Sequence, residues 1–474
     1  MHPRDKGSRR LHHWRYLAAL AASTALVAVS GCGARWSDEE HAALLARHEG
    51  GASEGPAAAR EGSAARNGAS TATSTPGATA DAAPGAQPSA SDGDAGAAAD
   101  AAGPAPCSAP SDAPGVTGDE ISIGTVSTVS GPVPGLGASA LGAVRAYVAY
   151  RNSTGGVCGR QILLREADDG ADNGQHRAIV SEMSSQVLGL AGGLAGGDAG
   201  SGHTVEERGL PVVSTAISDG FQNAATVFDI NPPFADVNAL IGKYKWLYEQ
   251  GVRTVALVYL AVDQTRSEIE GKQKPQMQAA GIKVVNEQAL PLSTLSYDSA
   301  ARAVANSKAD YLFFLADAGA SASMAQSMAD TGYELKFEEY LTAYGSNFID
   351  LAGDAAEGTS SWIRTLPNED GGANPEQAAY LQWMGEVSPD VVVDTFAADS
   401  WAAAKAFLDA LEALRGPITR EALLAQLRAT NPYDAGGFLG SIQLGAKLHN
   451  GCHVGMIVEG GAWRRLAPAD GFLC

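Results

Sequence analysis

The chain has 474 residues, with 53 acidic and 33 basic side chains and a formal net charge of −20 at neutral pH. An acidic surface of this kind disfavours nucleic acid and anionic lipid headgroups, because their phosphates are repelled. The chain is long enough to build two lobes of ordinary domain size, and 45% of its residues are hydrophobic.

The first 31 residues are typical of an export signal. Five basic residues form its leader: Arg4, Lys6, Arg9, Arg10 and Arg15. The apolar run that follows, residues 17–29, is too short to span a bilayer as a mature helix. It ends in Val29-Ser30-Gly31-Cys32, which resembles the bacterial lipobox, so we expect cleavage before Cys32 and lipidation of that residue. Ordinary signal cleavage and a twin-arginine signal at Arg9-Arg10 are the alternatives.

Residues 33–114 are dominated by Ala, Gly, Ser, Pro and Thr. Such a segment cannot bury enough apolar surface to offset its ordering entropy, so it is predicted to be a disordered tether. A flexible tether of this length has an r.m.s. reach of roughly 50 Å. We therefore expect an exported protein that is lipid-anchored to the outer face of the cytoplasmic membrane or lies in the periplasm.

Four cysteines remain besides Cys32: Cys107, Cys158, Cys452 and Cys474. An even number in an exported chain predicts two disulfides, for which three pairings exist. We favour Cys107–Cys158, which would pin the start of the folded region, and Cys452–Cys474, which would staple the C-terminus.

The first half of the folded region alternates short strands with helices. Strands are predicted at residues 121–126, 161–166, 188–190, 210–213 and 226–230, and helices at 138–152 and 178–186. Continuous apolar strands separated by amphipathic helices predict βαβ units and a parallel sheet that is covered on both faces.

The pattern then repeats and predicts a second sheet. Its strands are expected at 254–259, 283–289, 310–315 and 339–343, and its helices at 237–250, 272–280, 297–306 and 320–329. Two long helices follow at 396–414 and 419–430, the first with a core stripe of Trp401, Leu408, Leu411 and Leu414. Residues 441–444 and 454–458 are predicted to pair as a hairpin through Asn450-Gly451.

An ordered set of short segments carries a family resemblance. The set consists of Gly115-Val116-Thr117, Ile121-Ser122-Ile123-Gly124, Val129-Ser130-Gly131-Pro132, Asn152, Gly155-Gly156-Val157, Gly159-Arg160, Glu166-Ala167-Asp168-Asp169, residues 206–214 and Ala355-Ala356-Glu357-Gly358. From about Val116 to the C-terminus the chain resembles the branched-chain amino acid binding proteins, which are type I periplasmic binding proteins of ABC importers.

The resemblance implies an α/β fold of two Rossmann-like lobes, each a parallel sheet flanked by helices. Lobe 1 would comprise residues 115–232 and 366–438, and lobe 2 residues 233–365 and 439–474. Three crossovers would join them near residues 231–233, 364–367 and 438–441. Ligand would bind between the lobes, at the carboxyl ends of the strands, as in other open α/β sheets.

The function implied is the capture of a small amino-acid-like solute and its delivery to the permease of an ABC importer, by a monomer that is not an enzyme and needs no cofactor. A ligand-sensing receptor of the same fold, and a surface interaction module, are the alternatives.

Two loops of lobe 1 match ligand contacts of the family. In the first, Ser130 and Gly131 could hold a carboxylate, or Ser-Gly-Pro could simply build the turn; the tyrosine expected shortly afterwards is replaced by Leu136. In the second, adjacent serines of the family are replaced by Gly196 and Gly197, whose backbone N–H groups could form an anion nest.

Three further predictions concern Asp198, the loop after the fourth strand, and one residue of lobe 2. Asp198 would repel a carboxylate if it faced the cleft. Ile217, through its carbonyl, and Ser218, through its hydroxyl, match the loop that follows the fourth strand. In lobe 2, Gln264 stands near the position of an aromatic that closes over the ligand.

Two residues of lobe 2 complete the predicted site. Asp317 is the acid that would pair with a ligand ammonium, although it could equally cap a helix. Tyr344 is a candidate wall of the pocket.

The sequence gives little support for dinucleotide binding, metal binding or catalysis. Gly135-Leu136-Gly137-Ala138-Ser139-Ala140 has a G-x-G-x-x-A pattern, but it stands well past the strand and no acid follows at the distance a dinucleotide needs. His449 and His453 flank Cys452, and a disulfide-bonded turn explains them better than a metal site. Nothing in the sequence pairs a nucleophile with a base.

Overall fold

The structure is a computed structural model, and it describes Cys107 and residues 111–133, 135–232 and 239–474. The predicted signal, the lipidated Cys32 and most of the tether lie outside these residues. Among the residues described, no helix has both the length and the apolar character needed to cross a bilayer.

The first sheet in the described part of the chain has five strands, all parallel, in the order β2-β1-β3-β4-β5. Its strands are β1 Glu120–Ser127, β2 Gln161–Asp168, β3 Leu190–Ala191, β4 Val212–Ser214 and β5 Val227–Asp229. The helices between them are α1 Ala138–Ser153, α2 Asn173–Met183, α3 Gly202–Glu207 and α4 Asp219–Gln222. All of β1 except Glu120 is buried, as expected for a strand of a parallel sheet covered on both faces.

The second sheet, again within the described residues, has seven strands in the order β14-β13-β10-β9-β8-β6-β7. They are β6 Thr254–Leu260, β7 Lys283–Leu290, β8 Tyr311–Leu315, β9 Phe337–Tyr340, β10 Thr359–Ile363, β13 Val454–Glu459 and β14 Ala462–Ala467. The pairings among β6 to β10 are parallel, whereas β13 and β14 are antiparallel additions.

The helices of this half are α5 Ile241–Glu249, α6 Asp263–Ser267, α7 Lys274–Ala279, α8 Asp298–Ser307, α9 Ala318–Thr331 and α10 Phe348–Ala352, with a π-helical turn at Glu268–Gln273. Short 3-10 turns lie at Asp198–Gly200, Gly353–Ala356, Asn368–Asp370 and Ala435–Gly437. The predicted α/β architecture, with parallel sheets flanked by helices, is confirmed. We call the first sheet with its helices lobe 1, and the second lobe 2.

Three later helices complete lobe 1: α12 (Thr395–Glu412) packs on β3 and β4, α11 (Pro375–Val387) packs on α1, and α13 (Arg420–Ala429) packs on α12. The predicted apolar stripe of α12 is core, because Trp401, Leu408 and Leu411 are fully buried and Leu414 nearly so. The indole of Trp401 contacts the ring of Tyr147 in α1 edge to face, with centroids 4.8 Å apart.

The predicted hairpin between residues 441–444 and 454–458 is wrong. Instead β11 (Ile442–Gln443) pairs with β12 (Leu448–His449), and β13 pairs with β14. The β13–β14 turn is Gly460-Gly461, with φ of 63° and 73°. A two-residue hairpin turn of this hand needs positive φ at both positions, which glycine adopts without strain.

Both predicted disulfides are present, Cys107–Cys158 and Cys452–Cys474. The start of the folded region is held further, because the Cys107 amide donates to the carbonyl of Leu414 at 3.3 Å and the Ser111 hydroxyl donates to the carbonyl of Ile418. These contacts fasten it to the connection between α12 and α13.

Candidate functional site

Loops at the carboxyl edges of the two sheets form the candidate site. Parallel strands place the loops that follow them at one edge of a sheet. In lobe 1 these are residues 128–133 with 135–137, 169–172, 192–198 and 215–218, after β1, β2, β3 and β4. In lobe 2 they include the start of α6 after β6 and the start of α9 after β8.

One side-chain contact joins the two lobes at these loops. Gln264, in the first turn of α6, donates from Nε2 to the carbonyl oxygen of Gly196 at 3.0 Å. The two residues are 68 positions apart, and each follows a strand of a different sheet. The structure therefore brings together two of the residues predicted for the site, and it shows that the loop 192–198 faces lobe 2.

Asp168, at the end of β2, organises the loop after β1. Its carboxylate accepts the amides of Val129 at 2.9 Å and Ser130 at 3.0 Å. The Ser130 hydroxyl, these amides and the Gly170 amide lower the pKa of Asp168 to about 2, so it is ionised at neutral pH. Ser130 thus lies at the rim of the site and is engaged by an acid of its own chain.

Gly131 beside it has φ of 89°, and a Cβ there would lie 2.2 Å from the carbonyl oxygen of Gly170. The two loops approach so closely that only glycine fits at this position.

Asp169 occupies the donors of the glycine-rich loop. It is fully buried, accepts the Gly197 amide at 2.9 Å and accepts the Thr128 hydroxyl at 2.5 Å. The Thr128 oxygen in turn accepts the Gly196 amide at 2.6 Å. The amides of Gly196 and Gly197 therefore donate to protein acceptors and not to the space between the lobes.

Asp198 accepts backbone amides of the loop after β4 in the same way. Its Oδ2 accepts the amides of Ile217 at 2.8 Å and Ser218 at 3.4 Å, and only 2% of the residue is exposed. Burial raises the pKa of Asp198 to about 6, against the lowering effect of the neighbouring Ser218 and Ile217. Its other oxygen, Oδ1, has no hydrogen-bond partner among the described residues.

A small cavity lies between the sheet and the helices beneath this loop. Its polar lining comes from His176, Asp198, Ser214 and Thr215, and Phe221 closes part of its apolar side. The volume is about 20 Å³, enough for one water molecule. In the cavity lining, the Nδ1 of His176 lies 2.5 Å from the hydroxyl of Ser201.

Asp229, the last residue of β5, accepts loop amides in the same way at the edge strand of the sheet. It accepts the Ala216 amide at 3.1 Å, the Asn231 amide at 2.8 Å and the Gln222 side chain at 2.5 Å. Burial raises its pKa to about 7. Four aspartates at the carboxyl edge of the lobe 1 sheet therefore hold the loops by their backbone amides: Asp168, Asp169, Asp198 and Asp229.

The remaining candidates of lobe 2 are engaged locally. Asp317 caps α9, accepting the amides of Gly319 at 2.9 Å and Ala320 at 3.0 Å. Its side chain is exposed.

Tyr344 is 3% exposed, and its hydroxyl both donates to Glu369 and accepts the Asn368 amide, each at 2.7 Å. Its ring packs against Trp463, with centroids 5.6 Å apart. Both polar capacities of this hydroxyl are thus used within the chain.

The segments that connect the first sheet with the second meet at Arg364, which follows β10. Its guanidinium donates to Asn231 Oδ1 at 2.7 Å and to the carboxylate of Asp399 in α12. Its carbonyl accepts the Gly440 amide at 2.8 Å. Arg364 thus links the three segments that run between the two sheets, and we refer to this group of contacts as the hinge region.

Comparisons with known proteins agree with this architecture. The family model for periplasmic binding proteins matches residues 120–462. No curated protein sequence matches the chain.

Among solved structures, a fatty acid ABC transporter substrate-binding protein from Thermomonospora curvata is 20% identical with a TM-score of 0.64, the match covering 76% of this chain and 94% of that one. An ABC transporter substrate-binding protein from Aeropyrum pernix is 19% identical with a TM-score of 0.63, covering 74% and 97%. The branched-chain amino acid transporter substrate-binding protein of Streptococcus pneumoniae, solved with isoleucine, is 16% identical with a TM-score of 0.59, covering 74% and 100%.

At these identities the solved structures show the fold alone. The family model spans well over half of the chain, from the first residue of β1 to the first residue of β14. The chain belongs to the periplasmic binding protein family.

Proposed function

We propose that the chain is an exported, lipid-anchored solute-binding protein that captures a small amino-acid-like ligand between its lobes and delivers it to an ABC importer. The observation that carries this proposal is the contact of Gln264 with Gly196. It joins polar loops at the carboxyl edges of both sheets, where open α/β folds bind their ligands.

Lobe closure is the mechanism that the hinge supports. A ligand that contacts loops of both lobes stabilises the closed form by its differential affinity for that form. The anchoring contacts of the hinge, centred on Arg364, leave the distant loops free to separate. Micromolar binding needs about −8 kcal/mol, which a few charge-assisted hydrogen bonds and a desolvated pocket supply.

Import is favoured over sensing because the solved structures named above are described as substrate-binding proteins of ABC transporters. Their ligands differ, since one is described as a fatty acid protein and another holds isoleucine. The ligand class therefore has to be inferred from the residues in the loops of this chain.

The buried contact between His176 and Ser201 does not support catalysis. Ser201 is fully buried and His176 is 2% exposed, so both residues belong to the interior of lobe 1. Burial lowers the pKa of His176 to about 4, which also makes it a weak base at neutral pH.

Thermal-shift measurements of the purified chain against amino acids, amides, urea and aromatic acids test ligand capture. We expect one class to raise the melting temperature and to reduce the radius of gyration in small-angle X-ray scattering. A chain whose melting temperature and scattering stay constant across the whole panel would contradict lobe closure on a solute.

Anchoring and transport are tested in cells. The Cys32→Ala variant is expected to leave the membrane fraction, whereas a Cys107→Ala, Cys158→Ala double variant serves as a cysteine control that stays anchored. Deletion of the chain is expected to abolish uptake of the radiolabelled ligand found in the thermal-shift panel. Unchanged uptake would favour the sensing alternative.

A further inference from the structure

The amide donors of the cleft-facing loops of lobe 1 are occupied by side chains of the same chain. Six amides are involved: Val129 and Ser130 donate to Asp168, Gly196 to Thr128, Gly197 to Asp169, and Ile217 and Ser218 to Asp198. Three of the four acceptors are carboxylates, so the position that an incoming anion would need is filled by built-in acids.

A ligand carboxylate placed here would meet like charge. Asp168 is ionised, and like charges at close range repel each other. To gain the amides of Ile217 and Ser218, the ligand would also have to displace Asp198, which is 2% exposed. An anionic group is therefore disfavoured at this end of the cleft.

One carboxylate oxygen and two hydroxyls without partners in the described part of the chain lie beneath the same loop, and each of the three can accept a hydrogen bond. Asp198 Oδ1, Ser214 Oγ and Thr215 Oγ1 have no hydrogen-bond partner among the described residues, and each residue is at most 7% exposed. All three residues line the cavity of about 20 Å³. That volume holds one water molecule, and an ammonium or a primary amide nitrogen is of the same size.

Buried polar atoms are normally hydrogen-bonded, and one left unsatisfied destabilises the folded chain. His176, the titratable neighbour in the cavity, has its Nδ1 on Ser201 and brings no cation to Asp198 at neutral pH. The side chains that line the cavity thus offer the carboxylate the hydroxyls of Ser214 and Thr215 but no cation.

We propose that the ligand presents a nitrogen donor, as an amine or a primary amide, to Asp198, Ser214 and Thr215, and carries no carboxylate at that end. This inference rests on the proposed capture of a solute between the lobes, and it narrows the ligand to the amine and amide relatives of amino acids. Binding replaces the water that fits the cavity by the ligand nitrogen, so the buried acceptors are satisfied in the closed form.

Isothermal titration of the full chain with matched compounds tests the proposal. Each hydrocarbon skeleton is offered as amine, primary amide and carboxylate: 3-methylbutylamine, 3-methylbutanamide and 3-methylbutanoate; benzylamine, benzamide and benzoate; leucinamide and leucine. On every skeleton that binds, we expect the amine or the amide to bind at least tenfold more tightly than the carboxylate. Whether the amine or the amide binds more tightly distinguishes a cationic from a neutral donor.

A carboxylate that binds as tightly as its amine and amide overturns the proposal while leaving solute capture intact. If no compound in this series or in the wider thermal-shift panel binds, solute capture itself is contradicted, and the proposal falls with it.

Variants locate the site. Asp198→Asn keeps the size of the side chain but places an amide at the cavity, and we expect it to weaken amine binding at least tenfold while carboxylate binding improves. Asp330→Asn is the matched control, since it makes the same charge change at an exposed residue near the far end of α9. It is expected to bind like the wild type.

Because Asp198 also holds two backbone amides, Thr215→Val provides a second variant that removes one acceptor without changing the shape of the side chain. We expect it to weaken the amine and leave the carboxylate unaffected. Wild-type amine affinity in both Asp198→Asn and Thr215→Val would overturn the proposal, and circular dichroism verifies that each variant is folded.

Discussion

Arg364 donates a hydrogen bond to Asp399, a carboxylate that is fully buried in α12. Arg364 belongs to a segment that passes between the lobes, whereas α12 packs on the sheet of lobe 1. The ion pair therefore fixes the crossing segments to one lobe and gives the hinge a defined pivot.

Arg364→Ala is expected to destabilise the protein by about 3–5 kcal/mol, because it leaves the buried Asp399 without its cation. Urea unfolding monitored by tryptophan fluorescence measures this loss. Arg145→Ala is the control, since its partner Glu166 is 30% exposed and surface ion pairs contribute about 0–1 kcal/mol. A loss below about 1 kcal/mol for Arg364→Ala would show that Asp399 is neutral or solvated.

Gln264→Ala removes the side-chain contact between the lobes. We expect the ligand-free variant to have a larger radius of gyration than the wild type, because the closed form loses a hydrogen bond of about 0.5–1.5 kcal/mol. Small-angle X-ray scattering at matched concentrations gives the comparison. Gln278→Ala, at an exposed position of α7 in the same lobe, should leave the scattering curve unchanged. Identical curves for both variants would mean that this contact does not influence closure.

The raised pKa of Asp229 predicts that the stability of the protein depends on pH. Burial raises its pKa in the folded protein to about 7, above the ordinary value of 3.8, so folding takes up a proton between these limits. The contribution of Asp229 to the free energy of unfolding therefore falls as pH rises from about 4 to 7, by at most about 1.4 kcal/mol per pH unit.

The buried His449 and His453 act in the opposite direction, since burial lowers their pKa values and acid charges them at a cost. The measurement is thus the difference in unfolding free energy between the wild type and Asp229→Asn across this pH range. We expect the difference to favour the wild type increasingly as the pH falls. A difference that stays constant with pH would contradict the raised pKa.

The two disulfides should differ in their contribution to stability. Cys107–Cys158 closes 51 residues and Cys452–Cys474 closes 22, so the chain-entropy relation gives about 4 and about 3 kcal/mol. Urea unfolding of the two double alanine variants compares them, and non-reducing peptide maps verify the pairing. A greater loss on removing the shorter loop would show that contacts in the folded state outweigh loop entropy here.

The fold was largely predictable from hydrophobic periodicity. β6 and β8 are continuous apolar runs bounded by turns, and the apolar stripe of α12 lies in the core as expected. β10 was not predicted, because Thr359, Ser360 and Ser361 make it polar although all three are buried. The wrong hairpin arose because Asn450-Gly451 and Gly460-Gly461 are both good turn sequences, and only the pairing of β13 with β14 decides between them.

The site was less predictable because its contacts are long-range. Asp317 could be placed at the start of a helix from local sequence, since a cap involves only the next few residues. The contact of Gln264 with Gly196 and that of Asp198 with Ile217 depend on how loops from separate strands meet. Periodicity carries no information about such pairs, so the occupied amides became visible only in three dimensions.

The fastening of Cys107 and Ser111 to the α12–α13 connection determines how mechanical load would enter the molecule. On the proposed anchoring at Cys32, a pull on the N-terminal part of the chain would therefore act on lobe 1 at the Cys107–Cys158 disulfide and not at Arg364. The proposed closure of the lobes would then not have to work against the anchor.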